Sequence, residues 1–200
     1  MIGVNRRRVM GGGGEEPLPE GVVRIEYLGC DNAQFINTGI VPNASMVWTI
    51  DTSIISTGNG SLNGLFESSN KRYMIGANQN VQFGTDAVFN TSIQNDGERH
   101  TYCIDGPNKR YLFDGIEVGT FSAFPSLSYT IFLMARRYNN TTDFRLRGKF
   151  YGSSIMQQGS YIIDMIPVRR GTIGYLYDKV SKQLFANDGT DVFVLGPDIN

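Results

Sequence analysis

From Val22 onward the apolar residues recur at every second position, not at the 3.6-residue spacing of a helix. In Ser45–Ser56, SMVWTIDTSIIS, Met46, Trp48 and Ile50 fall on one face and Val47, Thr49 and Asp51 on the other. In His100–Asp105, HTYCID, His100, Tyr102 and Ile104 alternate with Thr101, Cys103 and Asp105. Thr130–Arg137, TIFLMARR, sets Ile131, Leu133 and Ala135 against Phe132, Met134 and Arg136. This pattern predicts strands with both faces partly covered. Turn signals punctuate it: Thr57-Gly58-Asn59-Gly60, Asn95-Asp96-Gly97, Asp105-Gly106-Pro107-Asn108 and Asn187-Asp188-Gly189. The clearest hairpin is Lys109–Phe121, with Asp114-Gly115 as a type I′ turn. About a dozen short strands with regular turns predict an all-β fold, best suited by a two-sheet jelly-roll sandwich over residues 22–200.

Residues 1–21 stand apart. Arg6, Arg7 and Arg8 make a basic start, Gly11–Gly14 a hinge, and Pro17 and Pro19 an extended exit. The segment reads as an N-terminal arm that seats in a protein socket. Its arginines would pair with carboxylates, while Gly11 and Gly12 allow close backbone approach. The competing reading is a solvated start without a partner.

Composition adds limits. The 24 Gly, 12 Phe and 10 Tyr suit turns and half-buried strands. A net charge of −1 argues against nucleic acid as a partner, and three arginines alone make a weak phosphate site. No apolar run approaches a membrane span, and no apolar core follows the basic start as a secretory leader would require. Cys30 and Cys103 are far apart in sequence and read as small buried hydrophobes. With one His and two Cys a zinc site is not expected, and no dense oxygen-ligand loop of the EF-hand kind appears for calcium, so the expectation is no metal and no cofactor.

Four stretches, in order, resemble one family. They are IEYLGCDNAQFINTGIVPN (Ile25–Asn43), GLFESSNKRYMIGANQNVQFG (Gly64–Gly84), HTYCIDGPNKRYLFDGIEVGTF (His100–Phe121) and the closing run from Gly148 to Phe193. That run holds Asp164-Met-Ile-Pro, Gly174-Tyr-Leu-Tyr-Asp and Phe185-Ala-Asn-Asp-Gly-Thr. Together they resemble concanavalin A-like, LamG-type jelly-roll domains of gut-bacterial surface proteins and of virion proteins of their tailed phages. Many relatives have Cys where this chain has Val168. The resemblance implies a jelly roll and a non-enzymatic structural role on the exterior of a phage particle. It would be a head decoration or fibre, or a tail adhesin, present in symmetric copies beside other virion proteins. The alternative is a bacterial cell-surface or secreted carbohydrate-binding module.

The fold also hosts glucanases, whose carboxylates lie on one strand as Glu-x-Asp-x-Glu so that alternation aims them into a cleft. This chain has no such triplet; Asp96-Gly97-Glu98 comes nearest and lies in a turn signal. His100 reads as packed or hydrogen-bonded rather than as a base. The richest glycan-binding candidate is the loop Arg136, Arg137, Tyr138, Asn139 to Asp143, with Tyr73 in a second loop, Asn70–Tyr73. Arg136 has the alternative of pairing with a carboxylate. Trp48 reads as core, not platform.

Overall fold

The computed structural model describes residues 17–55, 63–68, 71–77, 80–83, 87–90, 96–139, 141–143 and 145–199. The described strands are β1 (Val22–Arg24), β2 (Leu28–Asp31), β3 (Ile36–Asn37), β4 (Met46–Ile54), β5 (Asn63–Ser68), β6 (Lys71–Ala77), β7 (Asn80–Phe83) and β8 (Ala87–Asn90). They continue with β9 (Arg99–Asp105), β10 (Arg110–Phe113), β11 (Ile116–Thr120), β12 (Phe132–Leu133), β13 (Arg136–Tyr138) and β14 (Thr141–Asp143). The last five are β15 (Arg147–Gln157), β16 (Ser160–Arg170), β17 (Ile173–Asp178), β18 (Gln183–Phe185) and β19 (Val194–Leu195). The described chain contains no helix, so the fold is all-β.

The strands form two sheets. One runs β11-β10-β9-β4-β15-β16-β17-β18, with β1 on β16 and β2 joining β15 to β19. The other runs β14-β13-β5-β6-β7-β8, with β12 bridging β3 and β5. The chain shuttles between them: β5–β8 interrupt the first sheet between β4 and β9, and β12–β14 interrupt it between β11 and β15. One apolar core takes residues from both sheets, including Trp48, Ile50, Tyr102 and Phe150 from the first and Leu65, Tyr73 and Ile75 from the second.

The alternation in Ser45–Ser56 puts Met46, Trp48 and Ile50 into this core. Trp48 is fully buried, as its mid-strand position predicts, and stacks on Tyr73 at 5.1 Å between ring centroids. Its indole N–H donates to Ser153 Oγ at 3.0 Å, so its polar edge is not left unpaired. A smaller cluster covers part of the opposite face of β16 and β17. There Val22, Val168 and Tyr177 are buried, with Leu18, Ile166, Tyr175 and Leu184 packed against them. Val168 is therefore a packed hydrophobe. Cys30 and Cys103 are both free thiols; Cys30 is buried and Cys103 half-buried.

The hairpin forms as expected. Phe113 faces Ile116 across Asp114 and Gly115, whose φ values of 49° and 78° suit a type I′ turn. A Cβ on Gly115 would meet nothing within 4 Å, so Gly115→Val isolates the cost of the backbone conformation. That cost is about 1–3 kcal/mol, expected to lower the thermal midpoint by about 2–4 °C per kcal/mol. An unchanged midpoint would refute the turn's role.

Thr130–Arg137 departs from expectation. Instead of one alternating strand it forms β12 and β13, broken at Met134, which takes φ 64°. Ile131 to Ala135 are all buried: β3 and β5 flank β12 within the sheet, the core takes Ile131, Leu133 and Met134, and Phe35 and Arg137 cover Phe132. Breaks of this kind contribute to nineteen strands among the described residues, several of two or three residues, where the sequence pattern predicts about a dozen.

The arm's Arg6, Arg7, Arg8, Gly11 and Gly12 lie outside the described residues. Of the expected arm, the described part packs on the domain: Leu18 joins the smaller cluster, and the Val22 amide donates to the Pro19 carbonyl at 3.0 Å.

Candidate functional site

The β13–β14 hairpin carries the candidate residues. Arg136 pairs with Asp143 across the hairpin, and Tyr138 with Thr141. Asn139 holds the turn with φ 51° and is exposed; Asn140 lies outside the described residues. β13 also runs parallel to β5, which places Tyr138 beside Phe66, and antiparallel pairing of β5 with β6 places Phe66 beside Arg72. A row forms on one sheet face. Phe66 and Tyr138 lie 5.5 Å apart, Arg136 sits 5.0 Å from the Phe66 centroid, and Arg72 sits 5.5 Å from it.

Arg136 does pair with a carboxylate. Its Nε donates to Asp143 Oδ1 at 2.7 Å and its Nη2 to Asp143 Oδ2, a bidentate bond that fixes the guanidinium over the rings. Tyr138 is 41% exposed, which leaves ring area for a ligand. The opposite face of β13 carries Arg137. It donates from Nε to the Asn139 carbonyl at 2.9 Å and from Nη1 to Thr130 Oγ1 at 2.6 Å, and lies 4.7 Å from the Tyr129 ring. Chemically, an exposed ring beside immobilised guanidinium and carboxylate groups can stack on a sugar face and bond its hydroxyls.

Tyr73 must be withdrawn from this set. Lys71–Ala77 is a strand, not a loop, and Tyr73 points to the core with no exposed surface. Its ring stacks on Trp48 and cannot reach a glycan. Burial also drives its phenol pKa well above the ordinary value. Of the neighbours that complete the row, Arg72 falls within the second candidate stretch Asn70–Tyr73, whereas Phe66 carries no local signal in the sequence. They reach β13 only through the parallel β5–β13 pairing.

Residues of the stretches Ile25–Asn43 and Gly148–Phe193 make structural bonds. Gln34 Oε1 accepts from the Asp31 amide, and its Nε2 donates to the Val192 carbonyl. Asn187 Oδ1 accepts from the Phe35 amide, and Asp188 Oδ2 from the Asn37 amide. The closing run thus clasps the opening one. Asp178 is buried and accepts from the amides of Asp164, Val180 and Ser181 and from the Ser181 hydroxyl. Burial raises its pKa, but those bonds outweigh burial and hold the carboxyl below its usual range. Asp105 closes its turn through Asn108 and Arg110.

His100 is held by hydrogen bonds and packing. Its Nδ1 lies 2.8 Å from Asp114 Oδ2, its Nε2 lies 3.3 Å from Asp96 Oδ2, and Phe113 covers the ring at 4.8 Å. Partial burial lowers its pKa, but the bonds to Asp114 and Asp96 outweigh that, and the net shift is upward from about 6.5. With the folded pKa above the unfolded one, the clasp contributes fully below about pH 6.5 and is lost as pH rises through the folded value. NMR titration of His100 should therefore give a midpoint above about 6.5. Asp114→Asn should lower it, and the stability gap between the two proteins should narrow above the native midpoint. A native midpoint at or below the free-imidazole value would contradict the clasp.

No family model matches the chain, and neither a curated protein nor a solved structure matches it.

Proposed function

We propose that the chain is a non-enzymatic structural protein of a tailed-phage particle. Its two sheets would form a jelly roll, displayed outward as a head decoration or tail adhesin. Residues 1–21 would anchor it on another virion protein, and copies would be arranged by the symmetry of the particle. The reading draws on the four family-like stretches and on the all-β two-sheet architecture. One observation carries its display half: the Arg136–Tyr138 row presents an aromatic ring and fixed polar groups at a sheet surface. The acidic side chains Asp105 and Asp178 are engaged in turn bonds, which suits a structural part.

Co-sedimentation with genome-containing particles tests the anchor. The full chain should travel with the particles, and a version lacking residues 1–14 should stay in the supernatant. If neither travels with them, the virion reading fails. The same Arg136–Tyr138 surface favours a second reading, a carbohydrate-binding module of a bacterial surface. That reading expects sub-millimolar binding to a glycan, weakened by Tyr138→Ala, with no particle association.

A further inference from the structure

Four described arginines are matched to acids. Arg99 pairs with Asp51, Arg110 with Asp105, Arg136 with Asp143 and Arg169 with Asp198. Arg137 and Arg145 differ. Every described hydrogen bond they donate goes to a neutral oxygen: Asn139 O and Thr130 Oγ1 for Arg137, Asn32 O and Thr142 Oγ1 for Arg145. The two are close. Thr142 is the cross-strand partner of Arg137 and the acceptor for Arg145 Nη2 at 3.1 Å.

Aromatic rings hold both guanidiniums in place. Phe35 and Phe132 stack at 5.2 Å with 22° between their planes. Arg137 lies 5.2 Å from the Phe132 centroid and Arg145 lies 5.9 Å from that of Phe35. The stack thus reads Arg145, Phe35, Phe132, Arg137. Ring stacking occupies a guanidinium face and leaves its N–H edge in the plane. Each guanidinium has five N–H donors. The described bonds use two on each, so both retain donors. Two fixed, half-buried positive forks without described acids thus offer N–H donors suited to an anion, in a chain whose overall charge is −1.

We propose that Arg137 and Arg145 bind the carboxylates of an acidic polysaccharide, a polymer bearing uronic acid residues. The proposal rests on the glycan-display reading, specifies a ligand class for it, and places the contact on the face of β13 opposite the Arg136–Tyr138 row. Carboxylate geometry matches the planar fork. The partly exposed rings of Tyr129 and Phe35 beside the forks offer stacking area to the sugar.

Affinity electrophoresis of the full chain through gels containing polygalacturonate, alginate or hyaluronate tests this. At least one polymer should retard the protein, and fully methyl-esterified polygalacturonate should bind at least tenfold more weakly. Arg137→Gln with Arg145→Gln should reduce retardation at least tenfold at an unchanged thermal midpoint. Arg137→Lys should restore only part of it, because charge returns without the fork. Arg169→Gln, at a distant pair, should change nothing. Equal retardation by the acid and its ester would overturn the uronate assignment and leave the glycan reading standing. Retardation by none of the acidic polymers overturns the proposal, and a neutral-glycan panel then decides the display reading: a hit preserves it, and none removes it. Retardation by duplex DNA alone, lost in the same double variant, would assign the forks to phosphate and overturn the proposal.

Discussion

Ile104→Asp is expected to leave the protein unfolded, or nearly so, in the absence of denaturant. Ile104 is 1% exposed, with Trp48 opposite it on β4 and Tyr111 opposite it on β10. A carboxylate there loses its water and finds rings in its place. Such a group either protonates or unfolds the protein, and mutational data put uncompensated buried polar groups at about 1–3 kcal/mol and charges higher. Loss of the isoleucine's own packing adds about 2–5 kcal/mol, as for truncation to alanine. The sum approaches the whole stability of a typical domain, about 5–15 kcal/mol. Ile104→Val is the control and should cost only about 0.5–1.5 kcal/mol. Circular dichroism and urea unfolding would read both. A native-like urea midpoint for the aspartate variant would show that this face of β9 does not meet the core.

Gly148→Ala should rank next, although it adds a single methyl group. Gly148 sits inside β15, with Cys30 of β2 on one side and Ile54 of β4 on the other, and has φ 157°. A Cβ there would overlap the backbone carbonyl of Ser53 and lie 3.2 Å from the Ile54 Cα. Nothing in that contact is a flexible side-chain end, so β4 and β15 must separate or twist. Overpacking and backbone strain together place the cost at about 2–6 kcal/mol. Because β4 and β15 are adjacent at the centre of the larger sheet, the urea midpoint should fall well below that of Gly115→Val. A loss equal to that of Gly115→Val would mean that the strands yield easily at Ser53.

The two glycines differ in how they show themselves along the chain. Asp114-Gly115 is a recognisable turn pair between two alternating strands, and its role follows from local chemistry. Gly148, in Arg-Gly-Lys-Phe, looks like an ordinary strand residue. Its need for hydrogen arises from the close approach of β4, nearly a hundred residues earlier in the chain. The hairpin Arg136–Asp143 divides the same way. Its arginines, tyrosine and aspartate are legible as candidates, and the Arg136–Asp143 bond follows from two facing positions in one hairpin. Phe66 is not legible at all, and the placement of Arg72 near this hairpin is not legible either, because only the pairing of β13 with a strand from another part of the chain brings them together.

Tyr73 shows where local reading misleads. Beside Lys71 and Arg72 it looks like part of a polar loop, yet period two continues through the segment and turns its ring inward onto Trp48. Likewise, the apolar run Ile131–Ala135 scans as one alternating strand. The main core on the Leu133 side and Phe35 with Arg137 on the Phe132 side cover both faces of β12 and permit hydrophobes on both, and the reversal at Met134 splits the run.

The sequence by itself determined the all-β class, the alternating faces of β4 and β9 and the Asp114-Gly115 turn. These depend on side-chain period and on φ preferences, which are local properties of the chain. It also determined the burial of Trp48 and the hydrogen-bonded role of His100. Only the tertiary structure decided which strands are neighbours, and therefore which arginines meet acids and which meet only neutral oxygens. Pairing partners are chosen by the closing of long loops and the filling of a common core, and neither is written in any short stretch. Arg136 and Arg137 are adjacent in the chain. They point to opposite faces of β13, and that alternation gives one an aspartate and leaves the other without a described acid.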